Sequence, residues 1–347
     1  MPRPSGVTGS HVDLFDRIDQ VDPEEWDAVV RRQRLPAFYS HTFLAAYERH
    51  PLTGIDGFRY LVIRRGGGAV AVLPAYLQRR PDPLGVLAEA FPEAAGEPAL
   101  LSHSWHCYDA HAGEPALLPV VLGALRELAA GLGAPWYGLV NVERGGPLAA
   151  ALLAAGLPVR HLVDRFRAEL GGAGDVGEFL RRNARPRARL NLLRYRRRAA
   201  EHGVTSADVA VTDLDLAEVT ALCDRSARKH GSDRFYPEGT FEAFLTMVAP
   251  ISRAVEVRQR GRLVAVGVCL LDDSRLHCWA CGVDYDVDGN FSPYHLMFAD
   301  SVDLALRLGR PVLEGGRGNP GFKLRLGLTP RPLAGCLTHT DRVLTRV

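Results

Sequence analysis

The chain contains an internal repeat, which constrains its fold more than any other feature of the sequence. Two segments share the pattern of a strand, a glycine-containing turn and a second strand: YLVIRRGGGAVAVLPAYL (60–77) and VEVRQRGRLVAVGVCLL (255–271). A single offset of 194 residues places Val70-Ala71-Val72 on Val264-Ala265-Val266. Repetition at this spacing predicts two copies of one folding unit.

Three further pairs of segments match in the same order along the chain. They are FYSHTFLAAY (38–47) with FYPEGTFEAFL (235–245), GLGAPWYG (131–138) with RLGRPVLEG (307–315), and Gly156-Leu157-Pro158 with GLTP (327–330). We therefore expect a first domain at 1–165 and a second at 166–347, each an α/β unit.

Each copy has the same predicted order: helices, an antiparallel hairpin or meander, a longer helix, a short strand, a short helix and a final strand. In the first copy these elements fall at 23–33, 41–49, 59–78, 115–132, 136–142 and 146–155. In the second they fall at 213–230, 238–248, 253–283, 293–309, 311–315 and 320–326.

The stretch RGNPGFKLRLG (317–327) is locally ambiguous. Its alternation of apolar and polar residues indicates a half-buried strand, whereas Asn319-Pro320 is typical of a helix N-terminus. The repeat favours a short helix that carries Lys323 near its start.

The composition is that of a soluble globular protein, with 47% hydrophobic and 24% charged residues. The first residues contain no apolar run typical of a signal peptide, and the apolar region 117–132 is interrupted by Arg126 and Glu127. We therefore expect a cytoplasmic protein without a membrane span. Six scattered cysteines indicate reduced thiols. The sequence does not distinguish a monomer from a dimer.

Positive charge is concentrated in one segment. Nine arginines and no acidic residue lie between Arg181 and Arg198, although the net charge of the chain is only +2. At helical spacing Arg187, Arg194 and Arg198 share a face, and the residues expected to pack inward are Leu190, Leu193 and Tyr195. The run is either a solvated helix face or a site for phosphate groups, and we favour phosphate contact for Arg194 and Arg198.

The predicted order of elements resembles the GNAT acyltransferase fold, and two such units in tandem resemble the Fem-type peptidyltransferases and related peptidoglycan biosynthesis/recognition proteins. The segments that carry this resemblance are FLRRNARPRARLNLLRYRRRAAEHGV (179–204) and GRGNPGFKLRLGLTP (316–330). It implies an α/β (α+β) fold of two GNAT-like domains, each with a mixed, largely antiparallel sheet flanked by helices. The second domain would open with the basic helix.

One loop in each unit helps to decide which acyl donor the chain would use. GNAT enzymes that use acyl-CoA bind its pyrophosphate on an Arg/Gln-x-x-Gly-x-Gly/Ala loop that opens the long helix. The second unit has CGVDYDVDGNFSPYHLMF (281–298) at this place, with a single glycine and three aspartates, and SHSWHCYDAHAGEPALL (102–118) in the first unit also lacks the pattern.

Fem-type proteins take the acyl group from aminoacyl-tRNA. The resemblance therefore implies an N-acyltransferase without a cofactor, which moves an aminoacyl group from the tRNA 3′ end to an amine of a cell-wall precursor or of a small-molecule or peptide natural product. An acyl-CoA-dependent enzyme with a divergent loop is the alternative. A non-catalytic RNA-binding protein is a third reading, but the chain lacks the RRM and KH signatures.

The late segment supplies the first candidate site residues. The resemblance places the aromatic-lysine pair Phe322-Lys323 close to the aminoacyl end, where a cation would contact a phosphate or stabilise the developing oxyanion. The alternative for Lys323 is a surface lysine. Arg317, between Gly316 and Gly318 after a strand end, is either a ligand contact or a simple turn residue.

The segment SHSWHCYDAH (102–111) supplies a second group: Trp105, His106, Tyr108 and Asp109. By resemblance Tyr108 and Asp109 would line the acceptor pocket, and Asp109 or His106 would accept a proton from the amine. We expect no metal site from His103, His106 and His111, because their spacing fits no zinc pattern. The alternative is a polar loop with a satisfied core histidine.

Two further motifs carry less weight. Tyr236 and Lys229, in RKHGSDRFY (228–236), are candidates to face the substrate. Cys278-x-x-Cys281 has the spacing of a redox or zinc motif, but alternation along a strand would direct the two thiols to opposite faces, so we expect packing roles.

Overall fold

The computed structural model describes residues 9–79, 84–231 and 235–342. The chain divides into two units, Met1–Asp164 with Pro332–Val347, and Arg165–Arg331. The last strand, which we expected in the second domain, belongs to the first unit because it pairs there with an earlier strand.

The elements of the first unit are, in chain order, β1 (Ser10–Phe15), α1 (Pro23–Arg32), α2 (His41–Arg49), β2 (Gly57–Arg65), β3 (Gly68–Gln78), α3 (Val86–Ala90), β4 (Ala99–Ser102), α4 (Leu118–Gly131), β5 (Trp136–Glu143) and α5 (Pro147–Ala154). The strand β6 (Arg160–Glu169) leads into the second unit, and β12 (Thr329–His339) returns to the first.

The elements of the second unit are α6 (Val176–Asn183), α7 (Pro186–Glu201), β7 (Val204–Val209), α8 (Leu216–Lys229), α9 (Thr240–Val248), β8 (Ser252–Gln259), β9 (Arg262–Leu271), β10 (Arg275–Val283), α10 (Pro293–Arg307), β11 (Val312–Glu314) and α11 (Pro320–Arg325). The helix predicted at 320–326 is therefore confirmed.

The two units have equivalent sheets. In the first, neighbouring strands follow the order β1-β2-β3-β4-β5-β12, and in the second the order is β7-β8-β9-β10-β11-β6. Each sheet has one parallel pair among its described strands, β4 with β5 and β10 with β11. The other pairs within each unit are antiparallel. The predicted mixed, largely antiparallel sheet flanked by helices is confirmed.

Each parallel pair follows from a helical crossover. α4 connects β4 to β5, and α10 connects β10 to β11, as parallel neighbours require. Both helices direct apolar side chains at helical spacing into the core, such as Leu118, Leu122 and Leu125 in α4. In α10 the buried face includes Leu296, Ala299, Val302, Leu304 and Ala305. None of the helices in the described residues is long and apolar enough to cross a membrane.

A buried ion cluster fixes the end of β11. Glu314, which is 0% exposed, accepts hydrogen bonds from Arg165 at 2.8 Å and from Arg167 at 2.6 Å. Glu314 and Arg167 are direct partners in the β11–β6 register, and Arg165 lies two residues away on the same face of β6. Charge-assisted hydrogen bonds therefore set the register of this edge.

Substitution of Glu314 by glutamine tests this cluster. We expect a loss of about 3–5 kcal/mol in the free energy of unfolding, because the buried carboxylate charge that binds Arg165 and Arg167 is removed. Urea unfolding of the full chain measures the change. Glu178→Gln breaks a more exposed ion pair with Arg182 and should cost less than about 1 kcal/mol. Equal effects of the two substitutions would contradict a structural role of Glu314.

Candidate functional site

In the second unit, the two parallel strands separate after three paired residues. Arg275, Leu276 and His277 of β10 pair with Val312, Leu313 and Glu314 of β11. β11 ends at Glu314, whereas β10 continues to Val283. The region between Cys278–Cys281 of β10 and the segment 315–318 is called the strand notch below. Cys278, Cys281 and Gly315–Arg317 are partly exposed, so solvent reaches it.

Two glycines allow the chain to pass closely by its neighbours at this point. A Cβ atom on Gly315 would lie 2.5 Å from Leu328 Cδ2. Gly316 has a φ of +72°, and its Cβ would lie 3.3 Å from the carbonyl oxygen of Cys278. A larger residue at Gly316 would therefore push the segment away from β10.

The helix α11 places Lys323 beside the strand notch. Asn319 is the N-cap, its side chain accepts a hydrogen bond from the Phe322 amide at 3.4 Å, and Pro320 follows at the first helical position. Lys323 is only 4% exposed, and its Nζ lies 5.5 Å from the ring centroid of Phe166. A Cβ on Gly316 would lie 4.0 Å from this Nζ. Lys323 is therefore a buried cation and not a surface lysine.

Burial changes the protonation of Lys323. The loss of hydration lowers the pKa of its ammonium from 10.5 to about 8, while the nearby thiols of Cys278 and Cys281 act in the opposite direction. The amine is therefore mostly protonated at pH 7 and titrates close to neutrality. Such a group can stabilise negative charge and also exchange a proton.

The two cysteines of the CxxC motif lie on the same face of β10, contrary to our expectation. Cys278 is opposite Cys269 and Cys281 is opposite Gly267, although two residues lie between the cysteines on β10 and only one lies between their partners on β9. This β-bulge inserts one extra residue, so the side-chain alternation is shifted after Cys278. Both thiols consequently lie near Lys323.

Phe322, which we predicted to bind substrate, packs against α10. Its side chain is 3% exposed, and its ring centroid lies 4.6, 4.8 and 5.3 Å from those of Tyr294, His295 and Phe298 in α10. These edge and tilted contacts attach α11 to α10. Phe322 therefore helps to position Lys323.

Tyr294 is a site residue that the sequence interpretation missed. It lies in the first turn of α10, is partly exposed, and its side chain hydrogen-bonds to Asn319. Burial raises the pKa of its hydroxyl, and the Cys281 and Cys278 thiols add to this effect. The signal in the sequence was Ser292-Pro293, which marks a helix start and so places Tyr294 at its exposed end.

The other candidates in the second unit lie around this cluster. Arg317 is partly buried in the segment that leaves β11. The Tyr236 side chain hydrogen-bonds to the backbone of Cys281, and its ring lies 4.7 Å from that of Phe241. Lys229 is the last residue of α8, and its Nζ lies 4.0 Å from the ring centroid of Tyr285. Tyr236 is thus brought to the same strand as the two thiols.

The segment 102–111 forms part of the core of the first unit. Trp105 and Tyr108 are 7% and 5% exposed, and the Tyr108 ring lies 4.8 Å from that of Phe38. His103 is fully buried, and burial lowers its pKa to about 3, so it is neutral. The prediction that Trp105 and Tyr108 contact substrate is therefore not supported by their burial.

The partly exposed polar residues of this segment are His106, Asp109 and His111. The Nδ1 of His106 lies 3.4 Å from the hydroxyl of Tyr47. Asp109 has a φ of +61°, a strained conformation for this residue type. No group of three metal-ligating side chains occurs among the residues the structure describes.

The basic helix α7 buries the predicted face only in part. Tyr195 is partly buried and packs against the core, as expected. The buried residues are Ala188, Leu192 and Ala199, whereas Leu190 and Leu193 are 61% and 55% exposed. Exposed Arg194 lies over the ring of Tyr195, with 5.3 Å from Cζ to the centroid. Arg198 is partly buried and donates a hydrogen bond to the Asn290 carbonyl at 2.9 Å, so it holds the loop before α10.

The loop before α10 is a poor pyrophosphate site. Pro293 removes one amide donor at the helix start. Of the three aspartates that we expected to repel an anion, Asp284 is ion-paired with Arg262 at 3.0 Å and with Arg225 at 3.6 Å. Asp288 lies 3.7 Å from Arg260, so the repulsion comes mainly from exposed Asp286 and is weaker than the sequence suggested.

Replacing Lys323 by methionine tests the state of the buried ammonium. The pKa of Lys323 is about 8 in the folded protein and 10.5 in the unfolded chain. The energetic cost of burying its charge is therefore present in full below pH 8 and disappears as pH rises to 10.5. Lys323→Met should therefore raise the free energy of unfolding at pH 7 by up to about 3 kcal/mol.

Denaturation of the full chain between pH 7 and 10.5 measures this difference. Lys229→Met is the matched control, since Lys229 and Lys323 are the two lysines of the chain. It should leave stability within about 0.5 kcal/mol of the original. A Lys323→Met protein that is less stable than wild type at pH 7 would show that the ammonium is satisfied by its contacts.

Comparison with known families supports the predicted resemblance. Residues 186–324 match the family model described as an acetyltransferase (GNAT) domain. No curated protein matches the sequence.

Solved structures share the fold. FemX is 13% identical over 93% of this chain and 96% of its own, with a TM-score of 0.64. L-PGS from Bacillus licheniformis is 13% identical over 93% of each chain, with a TM-score of 0.58. A tandem GNAT protein from the clavulanic acid biosynthesis pathway is 14% identical over 96% of this chain and 99% of its own, with a TM-score of 0.54. The chain therefore has a tandem-GNAT fold, and its residues 186–324 match the GNAT acetyltransferase family.

Proposed function

We propose that the chain is an N-acyltransferase that moves an aminoacyl group from the 3′ end of an aminoacyl-tRNA to an acceptor amine. The observation that carries this proposal is the buried Lys323 ammonium at the strand notch, where a glycine-lined opening adjoins a cation. The fold shared with FemX, the basic helix α7 and the poor pyrophosphate loop support the tRNA donor.

The reaction needs no covalent enzyme intermediate. The acceptor amine attacks the ester carbonyl carbon, a C–N bond forms, and the carbonyl π electrons move to oxygen. The oxyanion then collapses, the C–O bond to the ribose breaks, and the amine loses its proton as the ribose regains a hydroxyl. The product is an amide.

Lys323 would assist at two points. Its ammonium stabilises the oxyanion, and it does so strongly because the site is largely shielded from water. With a pKa of about 8, it can also give a proton to the leaving ribose oxygen and regain one afterwards. Tyr294 and the thiol of Cys278 border the same place.

The acceptor is an amine of a cell-wall precursor or of a small-molecule or peptide natural product. We keep His106 and Asp109 of the first unit as proposed proton acceptors on the resemblance alone; both are partly exposed.

An acyl-CoA-dependent N-acyltransferase is the second candidate. It is favoured by the acetyltransferase family match over 186–324, and by the tandem GNAT neighbour, whose description refers to AcCoA. Against it stands the start of α10, which has a proline in place of an amide donor and exposed aspartates before it.

Transfer assays with two labelled donors separate the candidates. The protein is incubated with total tRNA charged with labelled amino acids, and separately with labelled acetyl-CoA, each with a panel of amines. We expect transfer from charged tRNA that RNase abolishes. Transfer from acetyl-CoA alone, unaffected by RNase, would overturn the tRNA proposal.

The same assay isolates the role of Lys323. Lys323→Met should lower kcat/KM by about 100-fold or more, as the removal of an oxyanion contact does in other enzymes. Lys229→Met is again the matched control and should retain activity. Unchanged turnover in Lys323→Met would remove this residue from the mechanism.

Exposed arginines of α7 should contribute to tRNA affinity through phosphate contacts. Arg187 and Arg194 are exposed and make no ion pair with a residue that the structure describes. Arg187→Gln combined with Arg194→Gln should reduce the slope of log affinity against log salt by about 1–2, which filter binding of charged tRNA at several salt concentrations measures.

The control variant has the same change in net charge, but at positions outside α7. Arg17→Gln combined with Arg49→Gln removes two exposed arginines of the first unit. If both double variants reduce the slope equally, α7 has no specific role and the effect is one of overall charge.

A further inference from the structure

We propose that Cys278 and Cys269 form a reversible disulfide when the protein is exposed to a hydroperoxide. This pair of cysteines, beside the strand notch, would then be a redox modification site. The proposal rests on the register of β10 and β9, in which these two cysteines are direct cross-strand partners. Their chemistry does not depend on the identity of the acyl donor.

The backbone geometry is suited to the bond. Directly opposed residues of antiparallel strands have Cα atoms about 4.5 or 5.5 Å apart, depending on the type of pair. Both separations fall within the range of about 4.4–6.8 Å found in disulfides. The two thiols are near enough for each to shift the pKa of the other, which agrees with the cross-strand register.

The two residues differ in exposure. Cys278 is a partly exposed residue beside the strand notch, whereas Cys269 is 0% exposed. We therefore place the approach of the peroxide at Cys278, from the strand notch. The buried Cys269 can then attack only a sulfur that is already beside it.

The surroundings favour the thiolate of Cys278. A hydrogen bond from Cys269 lowers the pKa of Cys278, burial opposes this, and the Lys323 ammonium and a hydrogen bond from Ser301 lower it further. Glu314 acts against them, but the net shift is downward. A thiolate beside a cation is the reactive form of cysteine.

Cys281 does not compete, although it lies on the same face. Its partner on β9 is Gly267, so it has no thiol opposite to it. Burial raises its pKa to about 11, which keeps it protonated. Oxidation should therefore be selective for one cysteine of the CxxC motif.

The steps balance with a hydroperoxide as the oxidant. The Cys278 thiolate attacks the peroxide, the O–O bond breaks, and Cys278 becomes a sulfenic acid while hydroxide or alkoxide leaves. The Cys269 thiol then attacks the sulfenic sulfur, the S–S bond forms, and the sulfenic hydroxyl leaves as water with the Cys269 proton. A thiol reductant reverses the change.

One consequence rests on the proposed function. The disulfide removes the Cys278 thiolate from beside Lys323 and couples β9 to β10 at the edge of the strand notch. Lys323 loses a neighbour that stabilises its ammonium, so we expect acyl transfer to fall on oxidation and to return on reduction.

Mass spectrometry of the full chain tests the chemistry. After brief exposure to hydrogen peroxide, trypsin digestion without reductant should yield peptide 263–275 linked to peptide 276–307. The link should disappear with a thiol reductant. Dimedone, which traps sulfenic acids, should label Cys278 at least about tenfold faster than it labels Cys281.

Three Cys→Ser variants show which cysteine is oxidised first and which one then forms the disulfide with it. Cys269→Ser should lose the linked peptides and accumulate the dimedone adduct on Cys278. Cys278→Ser should lose both, and Cys281→Ser should keep the link. A bond within peptide 276–307, or a link that forms only in denaturant, would overturn the proposal.

The transfer assay is a separate readout. Formation of the disulfide with no loss of an established transfer activity would overturn the regulatory consequence alone. If no donor supports transfer, the proposed function fails, while the linked peptides still decide the chemistry at Cys269 and Cys278.

Discussion

The second unit depends on the buried carboxylate of Glu314. It closes the three-residue strand β11 by binding Arg165 and Arg167 of β6, and it therefore decides where β11 ends. The chain leaves the sheet directly after this residue, through two glycines that pass close to their neighbours. The place of α11, and so of Lys323, follows from that departure. A cluster of charges in the sheet thus positions the cation of the candidate site.

The fold was largely predictable because both units repeat one pattern of strands and helices. Residues 70–72 and 264–266 lie in equivalent strands, β3 and β9, as their alignment indicated. The final strand was not predictable. Its local pattern indicates a strand but not its neighbour, and β12 pairs with β5 in the first unit. Pairing between distant segments depends on the whole sheet, and no local periodicity encodes it.

The candidate site was predictable only in part. Asn319-Pro320 indicated the short helix and the resemblance singled out Lys323, but the lysine's burial depends on packing of Phe322 against α10. The sequence placed Cys278 and Cys281 on opposite faces because a β-bulge leaves no mark in the alternation of residues. Leu190 and Leu193 were assigned to the core on hydrophobicity, yet α7 buries the smaller face of Ala188, Leu192 and Ala199.

β6 completes the sheet of the second unit, and β12 completes that of the first. This exchange has a consequence for synthesis on the ribosome. The second unit, Arg165–Arg331, is one continuous stretch and has all its strands once its own residues have emerged. The first unit needs β12, which is made after its other strands, so one edge of β5 has no partner until β12 emerges. The half that is translated first is therefore the half whose sheet is completed last, and the open edge of β5 is exposed to aggregation meanwhile.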